Sequence, residues 1–345
     1  MRTITLEQPG NLRLSETPGP QKISGEQALV RVRRIGICGT DIHAFRGKQP
    51  FFSYPRILGH ELGVEIIEIG SNERGLAAGD RCAVEPYLNC ENCIACRRGK
   101  PNCCAKLQVL GVHVDGGMRD LIALPIRKLH KSAVLSLEQL ALIETLGIGA
   151  HAVQRACLQA GECVLVVGAG PIGLSVIQFA RLANVKLIVL DVNEQRLSFC
   201  RGQMNVEHSI QKSSAPAHPR EVLDRLSALT DGDMPTAVFD ATGNATSMAE
   251  SFSYVAPGGR LVYVGLFQGE IAFNDPDFHR RELSILATRN STPSDFTRII
   301  ALVEAGQIDT TPWITHRASC EEMIGCFPNW LEPKNGVLKA IVEWN

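Results

Sequence analysis

Cysteines are concentrated in one short stretch of this chain. Five of its twelve cysteines lie in CENCIACRRGKPNCC, where Cys90, Cys93 and Cys96 are each separated by two residues. A loop with this spacing can place four thiolates around one Zn²⁺ at about 2.3 Å, the closed arrangement of a structural zinc site. Cys103 or Cys104 supplies the fourth sulfur, and the spacing alone leaves both open. The cluster predicts a structural zinc site, with a redox-active cysteine pair as the alternative.

A second set of metal ligands lies upstream, in GICGTDIHAF and LGHELGVE. Cys38, His60 and Glu61 offer a thiolate, an imidazole and a carboxylate, which are all good ligands for Zn²⁺. Taken singly, each residue also fits a structural role, as a buried cysteine, a hydrogen-bonded core histidine or a surface glutamate. Together they make a second metal site the stronger interpretation.

A glycine-rich turn follows near the middle of the chain. Gly168, Gly170 and Gly173 form G-x-G-x-x-G between an apolar run and a helical pattern. The first glycine permits a tight turn, the second lets the backbone approach a pyrophosphate, and the third lets helix and strand pack closely. Asp191 ends the next apolar run, where a carboxylate binds ribose hydroxyls and repels a 2′-phosphate, so NAD is expected. Arg196 lies near enough to accommodate such a phosphate, which keeps NADP as the alternative.

The elements that position these residues change character near residue 150. Before it, short β-type runs such as ALVRVRRIGI and GVEIIEIG stand between glycine-rich turns. After it, apolar runs at CVLVVGAG, TAVFDATG, RLVYVGLF and LSILATRN alternate with segments of helix length. Continuous apolar strands that alternate with helices are typical of a parallel sheet covered on both faces. We therefore predict an α/β protein with a doubly wound sheet in the second half.

Length and charge limit the class of protein. A chain of 345 residues is long enough for two domains, and a net charge of −1 argues against nucleic acid or an anionic membrane as the main partner. The start, MRTITLEQPGNLRLSETPGP, has no basic segment followed by an apolar run, and no apolar run is long enough for a bilayer. We expect a cytoplasmic protein with a small-molecule substrate and without nucleic-acid or membrane partners. A reducing compartment also favours metal sites over disulfides.

Taken in order, GICGTDIH, GHE, the four-cysteine lobe, GAGPIG and LDVNEQR resemble the zinc-dependent medium-chain alcohol and polyol dehydrogenases. The branch is similar to the sorbitol and threonine dehydrogenases, and the resemblance spans nearly the whole chain. It implies a mostly β, GroES-like catalytic domain in residues 1–150, with the structural zinc lobe at 85–105. It further implies an NAD-binding Rossmann domain in residues 151–290 and a C-terminal part, 291–345, that completes the catalytic domain.

The resemblance also implies roles for individual residues. Cys38 and His60 bind the catalytic zinc, and Glu61 and Glu144 share its other positions with water or substrate. Cys104 becomes the fourth ligand of the structural zinc. Cofactor contacts are expected from Gly168, Gly170, Pro171, Ile172, Gly173, Asp191, Arg196, Val264, Leu266 and Arg289.

The chemistry implied by the resemblance is hydride transfer from a secondary alcohol to NAD. Zinc lowers the pKa of the alcohol hydroxyl, and hydride moves from the carbinol carbon to the nicotinamide ring. Thr40 takes the hydroxyl proton and passes it through the nicotinamide ribose to His43, which exchanges it with solvent. Asp41 orients His60 by accepting its second ring N–H.

Some positions near the substrate have two interpretations. Arg289 falls where polyol dehydrogenases carry an arginine that faces the substrate, and a structural salt bridge is the alternative. His113 lines the pocket or packs within its loop. Phe51, Phe52 and Tyr54 form a pocket wall or pack under the zinc lobe.

These features predict an NAD-dependent dehydrogenase with two zinc ions per chain that acts on a polyol or a sugar acid. An amino alcohol such as threonine is the alternative substrate. A non-catalytic NAD-sensing regulator on the same fold is the alternative of another class, and the retained Cys38, Thr40, His43, His60 and Glu61 argue against it. The family further implies a homodimer or homotetramer.

Overall fold

The computed structural model describes residues 1–20, 23, 25–50, 52–213 and 220–345. The chain divides into two compact units, one formed by Met1–Thr145 with Ser291–Asn345 and the other by Leu146–Asn290. The two units divide between Thr145 and Leu146, slightly before the predicted boundary at residue 150. Both positions lie within one continuous helix, Leu137–Ala156.

The first unit begins with short strands and few helices. Its strands up to the division are β1 (Arg2–Gln8), β2 (Asn11–Glu16), β3 (Gln27–Gly36), β4 (Arg56–Ile57), β5 (Glu61–Ile69), β6 (Arg81–Val84), β7 (Tyr87–Leu88), β8 (Gln108–Val109), β9 (Leu121–Pro125) and β10 (Leu129–Lys131). The helices are α1 (Gly39–Phe45), α2 (Ile94–Arg97) and α3 (Leu137–Ala156).

The second unit alternates strands and helices. Its strands are β11 (Cys163–Val167), β12 (Lys186–Asp191), β13 (His208–Gln211), β14 (Ala237–Asp240), β15 (Arg260–Tyr263) and β16 (Ser284–Ala287). Its helices are α4 (Pro171–Arg181), α5 (Glu194–Met204), α6 (Glu221–Leu229), α7 (Ala245–Glu250) and α8 (Asp275–Arg280). The remaining elements, α9 (Pro293–Glu304), β17 (Ile314–Ser319), α10 (Cys320–Trp330) and β18 (Lys339–Glu343), return to the first unit.

A mixed sheet forms the centre of the first unit. Its hydrogen-bonded order is β10-β6-β5-β3-β18-β17, with β9 also paired to β3, so the C-terminal strands lie beside strands from the start of the chain. Two smaller sheets have the orders β2-β1-β4 and β7-β8. Buried residues alternate along much of β3, as expected for a strand with one face on the core. Three strand ends, Gly36 of β3, Glu61 of β5 and Lys339 of β18, carry or adjoin residues of the predicted metal site.

A six-stranded parallel sheet forms the second unit. Its order, β13-β12-β11-β14-β15-β16, reverses direction at β11, so a crevice is expected beyond the carboxyl end of that strand. Nearly every residue of β11, β12 and β14 is buried, because helices cover both faces. The predicted fold class is confirmed: a doubly wound Rossmann sheet accompanies a mostly β unit.

Within the described ranges, no helix has the length and apolar character that a bilayer crossing requires.

Candidate active site and zinc lobe

Cys38 lies between the end of β3 and the start of α1. It is the N-cap residue of α1, and Asp41, three residues later, accepts a hydrogen bond from the backbone N–H of Cys38 at 2.9 Å. The other carboxylate oxygen of Asp41 accepts from the backbone N–H of Gly59 at 3.4 Å. Asp41 therefore links the segment that carries Cys38 to the turn that carries His60.

The predicted hydrogen bond from His60 to Asp41 is not formed in the structure. Nδ1 of His60 lies 3.8 Å from Oδ1 of Asp41, too far for a hydrogen bond, and this buried nitrogen has no hydrogen-bond partner in the described structure. The Asp41 oxygens are instead used by backbone N–H groups. Burial opposes the charged imidazolium, but Asp41 and Cys38 outweigh it and raise the pKa of His60 well above its usual value. Asp41 thus acts on His60 through its charge.

Glu61, the first residue of β5, is paired with a buried lysine. Nζ of Lys339 donates to both carboxylate oxygens, at 2.7 and 2.8 Å, and to the carbonyl of Ile37 at 3.2 Å. Glu61 and Lys339 are 0% and 2% exposed. Gly36 stands opposite Glu61 in the ladder, and a Cβ at Gly36 would lie 2.0 Å from its carboxylate oxygen. Glycine at this position makes room for the carboxylate.

Glu144 lies in α3, which continues without interruption through Thr145. Its carboxylate accepts a short hydrogen bond from the hydroxyl of Tyr87, and both side chains are buried. Burial raises the pKa of Glu144, and the positive charge of His60 opposes this shift. Burial and the nearby Glu144 charge both raise the pKa of Tyr87, so its hydroxyl remains a proton donor.

The predicted catalytic ligands come together only in part. Donor atoms of Cys38, His60 and Glu61 lie within 4.8 Å of one another, and Glu144 is not part of this group, although it interacts electrostatically with His60. A thiol, an imidazole and a carboxylate are a suitable donor set for zinc. The Cys38 thiol and the buried carboxylates of Glu61 and Glu144 also gather acidic groups that suit a divalent cation. The residues therefore fit zinc.

Thr40 and His43 stand three residues apart on α1, so they share one face of the helix. Thr40 is partly buried and His43 is exposed. Partial desolvation, together with the positive charges of Arg46 and Lys48, lowers the pKa of His43. His43 therefore remains a neutral proton acceptor to a lower pH than an ordinary histidine.

The cysteine lobe lies between the paired strands β7 and β8. The sulfur atoms of Cys90, Cys93, Cys96 and Cys104 all lie within 4.8 Å of one another. The Cys93–Cys96 and Cys90–Cys104 sulfur distances are 3.6 and 3.4 Å. Cys103 is exposed and is not in this group, and all twelve cysteines are free thiols.

The lobe also fits zinc. Four sulfurs at about 2.3 Å from one metal in a tetrahedron are about 3.8 Å apart, close to the observed sulfur distances. Backbone hydrogen bonds from Cys96 and Ala105 lower the pKa of Cys93 to about 6, which favours the thiolate that binds metal. Burial raises the pKa of Cys104 to about 11, so its thiolate needs a metal partner at neutral pH.

The glycine turn of the second unit has the geometry of a phosphate cradle. Gly168 has φ +96°, and a Cβ at Gly173 would lie 1.7 Å from the carbonyl oxygen of Gly168. Asp191 ends β12 and accepts hydrogen bonds from the backbone N–H groups of Ala169 at 2.5 Å and Asn193 at 2.7 Å. The turn and the carboxylate are thereby joined in one small structure. A terminal nitrogen of Arg196 is 3.6 Å from where a Cβ of Gly170 would be, so this guanidinium lies beside the turn.

The other predicted cofactor residues lie at the ends of elements in the same unit. Pro171 and Ile172 begin α4, and Val264 follows β15, where its N–H donates to the carbonyl of Asp240 at 2.9 Å. Leu266 is 71% exposed, and Arg289, just after β16, is exposed.

The remaining predicted pocket residues belong to the first unit. His113 accepts a hydrogen bond from the N–H of Val109 at 3.1 Å, which ties its imidazole to its own loop. Phe52 and Tyr54 contact each other, with ring centroids 4.8 Å apart, and pack against the core. Phe51 lies outside the described residues.

Two family models match this chain, and the fold and donor sets agree with both. The alcohol dehydrogenase GroES-like domain matches residues 24–134, and the zinc-binding dehydrogenase domain matches residues 171–305. The chain belongs to the zinc-binding alcohol dehydrogenase family and is an oxidoreductase, which confirms the predicted family and enzyme class.

Individual relatives place the chain within this family. It is 39% identical to L-galactonate-5-dehydrogenase of Escherichia coli (strain K12), over 92% of this chain and 91% of that protein. It is 33% identical to L-idonate 5-dehydrogenase of Vitis vinifera, over 84% and 80% of the two chains. The structure of an alcohol dehydrogenase from E. coli CFT073 complexed with NADH matches with a TM-score of 0.90 and 29% identity, covering 99% of both chains.

Two residues of the site have no motif that predicts them. Tyr87 stands in VEPYLNC, just before the cysteine lobe, and Lys339 stands in a β-type run near the C-terminus. Their partners, Glu144 and Glu61, are 57 and 278 positions away in sequence. No local periodicity or spacing indicates either contact.

Proposed function

We propose that the chain oxidises a secondary hydroxyl of a sugar acid or polyol, such as L-galactonate, and transfers the hydride to NAD. The observation that carries the proposal is the grouping of Cys38, His60 and Glu61 beside the α1 pair Thr40 and His43. The similarity to a galactonate and an idonate dehydrogenase supports the choice of sugar acids.

The metal ligands proposed for catalysis are Cys38 and His60, with Glu61 and Glu144 as the carboxylates that share the remaining positions. A bound zinc supplies a Lewis acid that lowers the pKa of the substrate hydroxyl. Lys339 neutralises Glu61, and the bonds from Asp41 hold the backbones on either side of the donor group. Cys90, Cys93, Cys96 and Cys104 are proposed to hold a second, structural zinc.

Proton removal is assigned to α1. Thr40 takes the proton of the hydroxyl at its Oγ, and the proton passes on towards His43, which releases it to solvent. The lowered pKa of His43 supports this assignment because a proton acceptor must be neutral at the working pH.

NAD is proposed as the cofactor of the second unit, held by the turn from Gly168 to Gly173. The carboxylate of Asp191 supports NAD over NADP, since it accepts hydrogen bonds from ribose hydroxyls and repels a 2′-phosphate. Arg196 lies beside the turn, where its charge suits the pyrophosphate. Val264, Leu266 and Arg289 remain proposed cofactor contacts, as implied by the family resemblance.

A cytoplasmic location and a homo-oligomeric state are also proposed. The free state of the cysteines suits a reducing compartment. Strand β16 is one edge of the parallel sheet, and Phe273 is a large exposed apolar side chain of the same unit. Both features favour pairing with a second copy, as a dimer or tetramer, which light scattering would measure.

A substrate panel tests the proposed reaction. L-galactonate, L-idonate, sorbitol and L-threonine are each incubated with NAD, and reduced nicotinamide is followed by absorbance. Turnover of the sugar acids, lost in Cys38→Ser, is expected. Preference for L-threonine would replace the substrate class, and protein that contains zinc but turns over none of the four would contradict the proposal.

A further inference from the structure

The hydroxyl of Tyr87 is the hydrogen-bond donor to Glu144. Tyr87 is 2% exposed and Glu144 is 5% exposed, so neither group relies on bulk water. A buried carboxylate without such a donor would either turn to another partner or take up a proton. The Tyr87 hydroxyl therefore restricts the orientation of Glu144.

Tyr87 belongs to the base of the cysteine lobe. Tyr87 and Leu88 pair with Val109 and Gln108, and the four clustered cysteines lie in the segment between these two short strands. A metal that closes the segment keeps the two strands together. The lobe thereby supports the residue that contacts Glu144.

Glu144 differs from Glu61 in its partners. Both oxygens of Glu61 bind the ammonium group of Lys339, whereas the hydrogen bond from Tyr87 goes to Oε1 of Glu144. Glu144 also interacts electrostatically with His60, Glu61 and Lys339, so it lies close to the catalytic donor group. Oε2 is thus the oxygen that can turn towards a metal ion or its water.

We propose that Tyr87 is a positioning residue, whose hydroxyl holds Oε1 of Glu144 and directs Oε2 to the catalytic metal. The zinc lobe then acts on the catalytic metal through one hydroxyl group. This inference rests on the proposed function, because it assumes a catalytic zinc at Cys38 and His60. Loss of an outer hydrogen-bond partner of a metal ligand typically weakens metal binding about 10- to 100-fold.

The test is Tyr87→Phe in the full zinc-loaded chain, with two readouts that do not depend on turnover. Competition with a chelator should show the catalytic zinc bound at least about tenfold more weakly, while one zinc per chain stays in the lobe. The visible spectrum of protein with Co²⁺ at the catalytic site should change, because it reports coordination geometry. Tyr254→Phe is the matched control, since this buried tyrosine also faces a glutamate, Glu250, in the other unit.

A double-mutant cycle separates positioning from a general loss of packing. In a Glu144→Gln background, Tyr87→Phe should cause little further loss of zinc affinity, because its route of action has been removed. Full additivity of the two changes would overturn the proposal. So would a Tyr87→Phe protein with unchanged zinc affinity and an unchanged cobalt spectrum, while the parent retains two zinc ions and its activity. A parent chain with no zinc at Cys38 and His60 would instead overturn the proposed function and this inference together.

Discussion

Replacing Lys339 with methionine should destabilise the protein, because Glu61 at the predicted metal site loses its counter-ion. The ammonium group lies 2.7 and 2.8 Å from the two oxygens of Glu61, and both residues are almost fully buried. Lys339→Met keeps a long apolar stem and removes the charge. Glu61 then remains buried without its counter-ion, a state that low-dielectric surroundings penalise strongly.

The expected size follows from the burial of the pair. Removing one partner of a buried ion pair costs about 3–5 kcal/mol of unfolding free energy. The first unit contains about 200 residues, for which 1 kcal/mol lowers Tm by about 2–4 °C, so a fall of about 6–20 °C is expected. A zinc ion offers Glu61 another positive charge. The loss should therefore be larger after a chelator has removed the catalytic metal.

The assay uses the position of the tryptophans. Trp313, Trp330 and Trp344 are the three tryptophans of the chain and all lie in the first unit, so their fluorescence follows the unfolding of that unit. The pair Lys131–Asp80, at 2.7 Å and with side chains 41% and 15% exposed, provides a control that solvent reaches, and Lys131→Met should cost about 1 kcal/mol or less.

The result that refutes the reasoning is specific. The double variant Glu61→Gln with Lys339→Met buries no lone charge and should recover much of the lost stability. If Lys339→Met costs no more than the surface control in both metal states, or if the double variant is as unstable as the sum of the single ones, Lys339 is not the counter-ion of Glu61.

Three other outcomes test the relay, the lobe and the cofactor. His43→Ala should keep both zinc ions and slow oxidation by up to about 10²–10⁴-fold, with a loss that shrinks at high pH or with added imidazole. Because the pKa of His43 is lowered, the acid limb of the parent rate profile should lie below the usual histidine value. A variant that is fully active at pH 6 to 7 would show that His43 takes no part in proton transfer. Cys104→Ser should destabilise the fold and lose the lobe zinc, whereas the exposed Cys103→Ser should do neither in elemental analysis and thermal melts, and the reverse result would reassign the ligand. Asp191→Ala should erode the preference for NAD over NADP in kcat/KM, and a parent that prefers NADP would contradict the charge argument.

Much of the architecture could be predicted from local sequence patterns. The continuous apolar runs of β11, β12 and β14 predict a buried parallel sheet, because strands covered on both faces need no polar alternation. Gly168 and Gly173 likewise predict the cofactor turn, since their roles depend on backbone clearance within a few residues. The spacing of Cys90, Cys93 and Cys96 indicates a metal lobe for the same reason: a short loop determines which sulfurs can meet.

Contacts between distant segments could not be predicted in this way. Spacing left Cys103 and Cys104 open as the fourth lobe ligand, and family resemblance was needed to choose between them. Asp41 was expected to hold His60 directly, but the fold brings two backbone N–H groups closer to its oxygens than the imidazole. A local pattern names the residue types that can form such bonds and does not say which of them will meet.

The sequence by itself therefore determined the donor types of the two predicted zinc sites, the predicted cofactor turn and the order of the elements, because each depends on short spacing or periodicity. Only the tertiary structure decided what holds the carboxylates. Lys339 reaches Glu61 because β18 pairs with β3 beside β5, and Tyr87 reaches Glu144 because the base of the lobe meets α3. Both contacts join segments that are far apart in sequence, so no local pattern predicts them. Each supplies a positive charge or a hydrogen-bond donor to a buried carboxylate, which water cannot stabilise there.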